Sequence, residues 1–267
     1  MSARTFMAAL ACVLAAGCAT QPATDMTLKP ETPTTGEETQ TRQRGRIHTE
    51  LAAGYYALAG NDPGRMSIAL EEVTEALKID PTYGPAYNVQ GLIYAALKAD
   101  DQAEASFKRA LSINPLDSDA NHNYGQFLCE RKREQEGVSY FLAAMRNPLY
   151  RTPDKSYVNA GVCARRQGNV ADAERYFQEA LRMRPRQPQA LYNLSELSYE
   201  QSDYQAAKKH MDLLVRVAQP NPEALWLAVR IERRLGDAAS AASYAQQLRK
   251  NFPDSKEAKA LSGGRFE

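Results

Sequence analysis

The sequence of 267 residues has no surplus of charge: 33 lysines and arginines stand against 32 aspartates and glutamates. A polyanion needs a basic field to hold it, so nucleic-acid binding is excluded as the main activity. Beyond the first two dozen residues there is no apolar run near the roughly 20 residues that cross a bilayer, so the chain is not a multispan membrane protein. Chemistry-bearing motifs are missing as well. There is no Gly-rich phosphate loop, no His-Glu-x-x-His and no Cys-x-x-Cys, and the three histidines, His48, His122 and His210, lie far apart. Neighbouring carboxylates such as Glu71 with Glu72 and Asp100 with Asp101 fall on helix surfaces or turns, where solvated charge is the ordinary explanation. These absences point to a protein that is not an enzyme and takes no cofactor, metal or small-molecule substrate.

The N-terminus has the pattern of an address. One positive charge at Arg4 precedes an apolar run over residues 6–16, whose last two residues Ala15 and Ala16, with Gly17, are small enough to suit a peptidase cleft, and Cys18 follows. The pattern resembles a bacterial lipobox, with Ala15 three places before the cysteine where leucine is usual. Residues 1–17 are therefore expected to be a lipoprotein signal peptide and Cys18 the lipidated residue. The alternative is an ordinary secretory signal with an incidental cysteine, of which Cys12 is an example. Ala19 in place of aspartate implies sorting to the outer membrane of a Gram-negative cell. Residues 19–44 are Thr, Pro, Glu, Gln and Gly with almost no large apolar side chain, too little to offset their ordering entropy. A flexible tether over 18–45 is expected, reaching on the order of 28 Å.

From residue 46 to 262 the chain repeats itself. Tyr87, Gly91, Tyr94, Ala103, Phe107, Ala110 and Pro115 occupy the consensus places of a tetratricopeptide repeat, a helix-turn-helix of about 34 residues. The set returns as Tyr157, Gly161, Ala164, Ala173, Phe177, Ala180 and Pro185, and in part as Gly125, Leu128, Gly137, Phe141 and Ala144. A step of twelve residues separates the small residue of helix A from that of helix B at Gly91 to Ala103, Gly125 to Gly137, Gly161 to Ala173, Ser195 to Ala207 and Val229 to Ala241. Small residues let paired helices approach, the aromatic fills the space beside the next hairpin, and the proline stops helix B. One hairpin cannot cover its own apolar face, so neighbours stack. The fold class is all-α, a right-handed α-solenoid of six repeats, with residues 263–267 as a C-terminal tail.

Three departures are expected to show. In the first copy, Gly54 to Ala69 is fifteen residues, which implies a longer A–B turn around residues 60–64. The step from Gly125 to Gly161 is 36, with the surplus in a connector at 147–154 that contains Pro148 and Pro153. Ser195 and Val229 stand where glycine is usual, so their helix pairs should sit slightly further apart.

A solenoid's concave wall is formed by its A helices. Read at that periodicity, Leu51, Tyr55, Leu58, Asn88, Leu92 and Ala95 form an apolar stripe suited to an amphipathic helix; Leu51 and Leu58 could instead belong to the core if the first register is shifted. Further along, Asn123, Asn159 and Asn193 recur at the sixth place, with Tyr192, Tyr199, Trp226, Arg230 and Arg233 beyond. Such amides can pair with an extended peptide or bond between helices. The Lys and Asn clamp by which chaperone-binding repeats hold a terminal carboxylate is missing, which disfavours that partner. Cys129 and Cys163 fall in neighbouring A helices, where an oxidising periplasm would favour a disulfide over two buried thiols.

Four segments carry a family resemblance: residues 47–54 (IHTELAAG), 123–129 (NYGQFLC), 147–153 (NPLYRTP) and 159–163 (NAGVC). With the lipobox-like cysteine, six repeats and paired cysteines, the chain resembles the PilF/PilW type IV pilus biogenesis lipoproteins. The resemblance implies a pilotin: an outer-membrane lipoprotein, held on the periplasmic face by the Cys18 lipid, that binds the type IV pilus secretin subunit and promotes its localisation and assembly into the ring through which the pilus passes. Pilus biogenesis and twitching motility would depend on it. The competing reading is an outer-membrane scaffold for cell-wall hydrolases or for β-barrel assembly.

Overall fold

A computed structural model describes residues 39–264 and shows helices alone among them. The signal peptide at 1–17, Cys18, residues 19–38 of the tether and the tail from 265 lie outside the described residues. Twelve helices form six antiparallel hairpins: α1 (Gln40–Ala59) with α2 (Pro63–Ile79), α3 (Gly84–Ala96) with α4 (Asp100–Ile113), α5 (Ser118–Glu130) with α6 (Glu134–Ala144), α7 (Pro153–Arg166) with α8 (Val170–Met183), α9 (Pro188–Glu200) with α10 (Tyr204–Val217), and α11 (Pro222–Leu235) with α12 (Ala238–Asn251). A short thirteenth, α13 (Lys256–Ser262), closes over the last pair, packing Ala258 and Leu261 on Leu225, Val229 and Leu248.

The A–B turns share one device. Each turns through a residue with positive φ, at Gly60, Lys98, Lys132, Gly168, Ser202 and Gly236. Side chains are tolerated there at a cost of about 1–2 kcal/mol relative to glycine. Between Lys132 and Gly168 the interval is longer by two residues, which matches the connector: residues 145–152 join α6 to α7, whereas 114–117 suffice between α4 and α5. Side-chain caps start many helices, as where Asp117 accepts from the Ala120 amide at 3.0 Å and Asp203 from the Ala206 amide at 2.9 Å.

The close approaches fall where the repeat positions place them. A Cβ on Gly91 would lie 2.7 Å from the Phe107 ring, and one on Gly125 would lie 2.9 Å from the Gly137 carbonyl oxygen. Only the second is backbone against backbone; at Gly91 and Gly161 the missing side chain makes room for a phenylalanine ring. At Ser195 the hydroxyl is fully buried and donates to the Ala207 carbonyl at 2.8 Å, so a hydrogen bond ties the pair where wider spacing alone was expected.

The first hairpin departs from the sequence reading in three ways. Helix α1 begins at Gln40, inside the expected tether, with Thr39 accepting from the Arg42 amide at 3.1 Å. Arginine and glutamine are good helix formers, and Arg42 is pinned to Asp80 at 2.8 Å, so the segment gains enough contact to order. Gly54 is not the close-approach residue: a Cβ there would meet nothing within 4 Å, whereas Ala52 is fully buried and a Cβ on Gly45 would lie 3.3 Å from the Asp80 Cβ. The turn at 60–62 is no longer than its counterpart at 97–99. The surplus residues continue both helices, because an added helical residue keeps its backbone hydrogen bonds while an added loop residue does not.

Candidate functional site

Helix α1 buries Gly45, Thr49, Ala52 and Ala59, with Tyr56 partly covered on the same side. At about 100° per residue these lie on one face, and Ile47, Leu51, Tyr55 and Leu58 lie on another, well away from it. They are exposed at 45%, 45%, 37% and 67%. In later repeats the preceding helix B covers helix A; Phe107 of α4, for example, stacks on Tyr124 of α5 at 5.5 Å and meets Phe127 at 5.7 Å. Among the described residues no such helix B precedes α1, and its four apolar side chains are exposed.

This separates residues that the sequence had grouped. Asn88 is buried, and Leu92 and Ala95 are half-buried against the cluster of Phe107, Tyr124 and Leu128. They therefore contribute more to core than to a groove, and they do not continue the α1 face. On α1, Tyr56 packs against the core, and its hydroxyl is pushed above its ordinary pKa by burial and then by the charge of Glu130 on α5. Ile47 was not among the candidates, although its spacing of four residues from Leu51 could have found it.

The amide row is real and largely occupied. Asn123 donates through Nδ2 to Asn88 Oδ1 at 3.1 Å, Asn159 Nδ2 lies 3.3 Å from His122 Nε2, and Asn193 donates to the Gln189 carbonyl at 2.7 Å. His122 Nδ1 lies 2.7 Å from the Ser156 hydroxyl, which in turn lies 3.0 Å from the Tyr150 hydroxyl. Burial, reinforced by the charge of Lys155, depresses His122 to about 4 and keeps it neutral at physiological pH. The network joins α5, α7 and the connector. Further along, Arg165 is paired with Glu196 and Glu200, Tyr192 donates to Glu196 at 3.2 Å, and Arg230 stacks over Tyr199 at 4.5 Å.

Cys129 and Cys163 are joined in a disulfide with their Cα atoms 5.8 Å apart, linking α5 to α7. His48 meets Glu72 at 2.7 Å beside a recess of about 530 Å3 that also presents Glu71, Glu75 and Lys78. Among the described residues no group of three or more His, Cys, Asp or Glu could hold a metal ion, and no helix is long and apolar enough to cross a membrane.

The tetratricopeptide repeat model matches residues 84–115, 159–224 and 199–256. The crystal structure of PilW, a widely conserved type IV pilus biogenesis factor, superposes with a TM-score of 0.72 at 33% identity, covering 84% of this chain and 99% of that one. The chain belongs to the PilF/PilW family. Type IV pilus assembly protein PilF of Pseudomonas aeruginosa is 26% identical over 210 residues, 79% of this chain and 81% of its own. The solved Pseudomonas aeruginosa PilF structure, at 25% identity, superposes with a TM-score of 0.74 over 85% of this chain and all of that one. PilF/PilW proteins are thus tetratricopeptide solenoids, a protein-interaction fold rather than an enzyme family.

Proposed function

We propose that this protein is a pilotin: a lipoprotein anchored at the outer membrane through Cys18 that binds the type IV pilus secretin subunit in the periplasm and promotes its outer-membrane localisation and multimerisation. The observation that carries the reading is the open apolar face of Ile47, Leu51, Tyr55 and Leu58 on α1, in a family whose members are pilus biogenesis factors. A face at helical spacing suits an amphipathic or extended secretin segment, and covering it removes apolar surface from water at about 25 cal/mol per Å2. Acylation of Cys18 would supply the address, and residues 19–38 the reach between lipid and solenoid. Holding several secretin subunits near one membrane raises their local concentration, which favours ring closure without bond chemistry. The half-buried amides of Asn123 and Asn159 retain hydrogen-bonding capacity and form a second place where the same partner could pair.

The test is the secretin's heat-resistant multimer and its membrane fraction, followed by blotting in cells with and without the gene. Loss of the multimer, or its retention in the inner membrane, is expected; unchanged outer-membrane rings would refute the reading. Cys18→Ser should mislocalise the secretin, and Tyr55→Ala with Leu58→Ser should reduce multimers while the protein stays anchored.

A further inference from the structure

The connector at 145–152 and the α4–α5 turn at 114–117 present the same local sequence, Asn-Pro-Leu, one repeat apart. In each, the asparagine side chain accepts from the leucine amide, Asn114 Oδ1 from Leu116 at 3.1 Å and Asn147 Oδ1 from Leu149 at 2.9 Å. Both leucines are held outward, Leu116 at 56% and Leu149 at 83% exposure, the latter the most exposed large apolar side chain among the described residues. Nothing in the fold uses them. Such turns are ordinarily polar, and a pair of leucines in water is a cost without a contact.

Between the two loops lies a recess of about 400 Å3, lined by Asp117, Ser118 and Asp119 from one side and Leu149, Tyr150 and Arg151 from the other. Ser118 is 7% exposed, and its hydroxyl oxygen has no hydrogen-bond partner, which at a recess wall is a polar group awaiting one. Asp117 has its carboxyl pushed above the ordinary value, by burial first and with the charge of Asp119 adding to it. Arg151 is an exposed lining residue of the same recess, so its wall carries two carboxylates against one guanidinium. The wall is therefore net negative beside the exposed Leu149. A cation entering it would relieve the repulsion that the fold leaves in place.

We propose that this loop-edge recess is a second docking site, which takes an extended segment of a partner protein carrying a lysine or arginine beside an aliphatic residue. The cationic head meets Asp117 and Asp119, and the aliphatic side chain lies on Leu149. It stands apart from the α1 face, on different repeats and with opposite demands: one surface is apolar alone, the other requires positive charge. The two can therefore hold different segments at once.

Fluorescein-labelled Gly-Arg-Leu-Ile-Gly and Gly-Glu-Leu-Ile-Gly peptides, titrated against the full chain by anisotropy, separate charge from hydrophobicity. The arginine peptide is expected to bind more tightly by about fivefold or more at low salt, with the difference shrinking as salt rises. Leu149→Ser and Asp119→Lys, both exposed positions, should each weaken it by about fivefold without moving the melting temperature. Asp119→Lys should in addition improve binding of the glutamate peptide. Equal binding of the two peptides, absence of saturable binding, or loss on Leu51→Ser in place of Leu149→Ser would overturn the proposal. The last outcome would assign the peptide to the α1 face and leave the pilotin reading standing.

Discussion

The first hairpin and the middle of the solenoid are built from the same repeat and spend their side chains differently. In α5 to α8 the sides of helix A that meet neighbouring helices are closely packed: Gly125 meets Gly137, Gly161 makes room for Phe177, Asn123 and Asn159 bond between helices, and Cys129 is tied to Cys163. In α1 and α2 one face is buried on Ala69, Val73 and Ala76, and the other carries Ile47, Leu51, Tyr55 and Leu58 into solvent. An end repeat has only one neighbour, and polar capping is the usual remedy for the face left over. Here that face stays apolar, which is unfavourable for a free monomer and suited to a partner.

The contrast can be broken at the glycines first. Gly161→Val should destabilise the chain by upward of about 3 kcal/mol, since the new side chain meets the Phe177 ring and the packed interior does not yield. Gly54→Ala, in the first hairpin, should be neutral or stabilising by up to about 1 kcal/mol, as there is open space and a helical backbone. Urea unfolding of both variants gives the comparison, and a similar loss in the two would mean that α1 is packed as tightly as α7.

Next in size is the crosslink. Cys163→Ser should cost about 3 kcal/mol in oxidised protein and almost nothing once the parent is reduced. Thiol titration of unfolded, unreduced parent should find neither cysteine reactive; two reactive groups would remove the crosslink from the account.

The buried histidine sharpens the same contrast through pH. The folded His122 has its pKa lowered to about 4 from an ordinary 6.5, so above pH 6.5 it contributes no pH dependence. As pH falls from 6.5 to about 4 the unfolded chain takes the proton and the folded chain largely does not, and stability drops by about 3 kcal/mol. His210 is lowered by burial too and acts with the same sign. Glu104 opposes no part of this: Arg133, then Lys108 and Tyr124, hold it down to about 2, so its contribution is present above about 4.5 and is lost only below. Denaturation midpoints from pH 7 to 4 should slope for the parent and flatten for His122→Asn.

The smallest stability effect belongs to the open face. Leu51→Ser and Leu58→Ser should change unfolding free energy within about 0.5 kcal/mol, as both side chains already stand in water. Their effect should instead appear as lost secretin multimers. A large loss of stability would return these leucines to the core.

Much of this was legible in the chain. Gly91, Gly125 and Gly161 with Phe107, Phe141 and Phe177 specify local close approaches, and local packing follows directly from spacing. The first register was misread because Gly54 imitates a repeat glycine, while the buried role falls to Ala52; an alanine is small enough for either position and carries no distinguishing signal. The amide row was visible at 123, 159 and 193, but whether an asparagine faces a partner or a neighbouring helix depends on which side chain waits across the gap, Asn88 in one case and His122 in another. The loop-edge recess was missed because Leu116 and Leu149 lie in turns, where no periodicity marks a face.

By itself the sequence determined the helical hairpins, their stacking and the adjacency of Cys129 and Cys163, since these rest on residue spacing within one or two repeats. Only the tertiary structure decided which surfaces remain open. Exposure is set by what the neighbouring repeat covers, so the apolar face of α1 emerged only from the exposure of its side chains among the described residues, and the recess at Asp117 and Leu149 only when two separate loops were brought side by side.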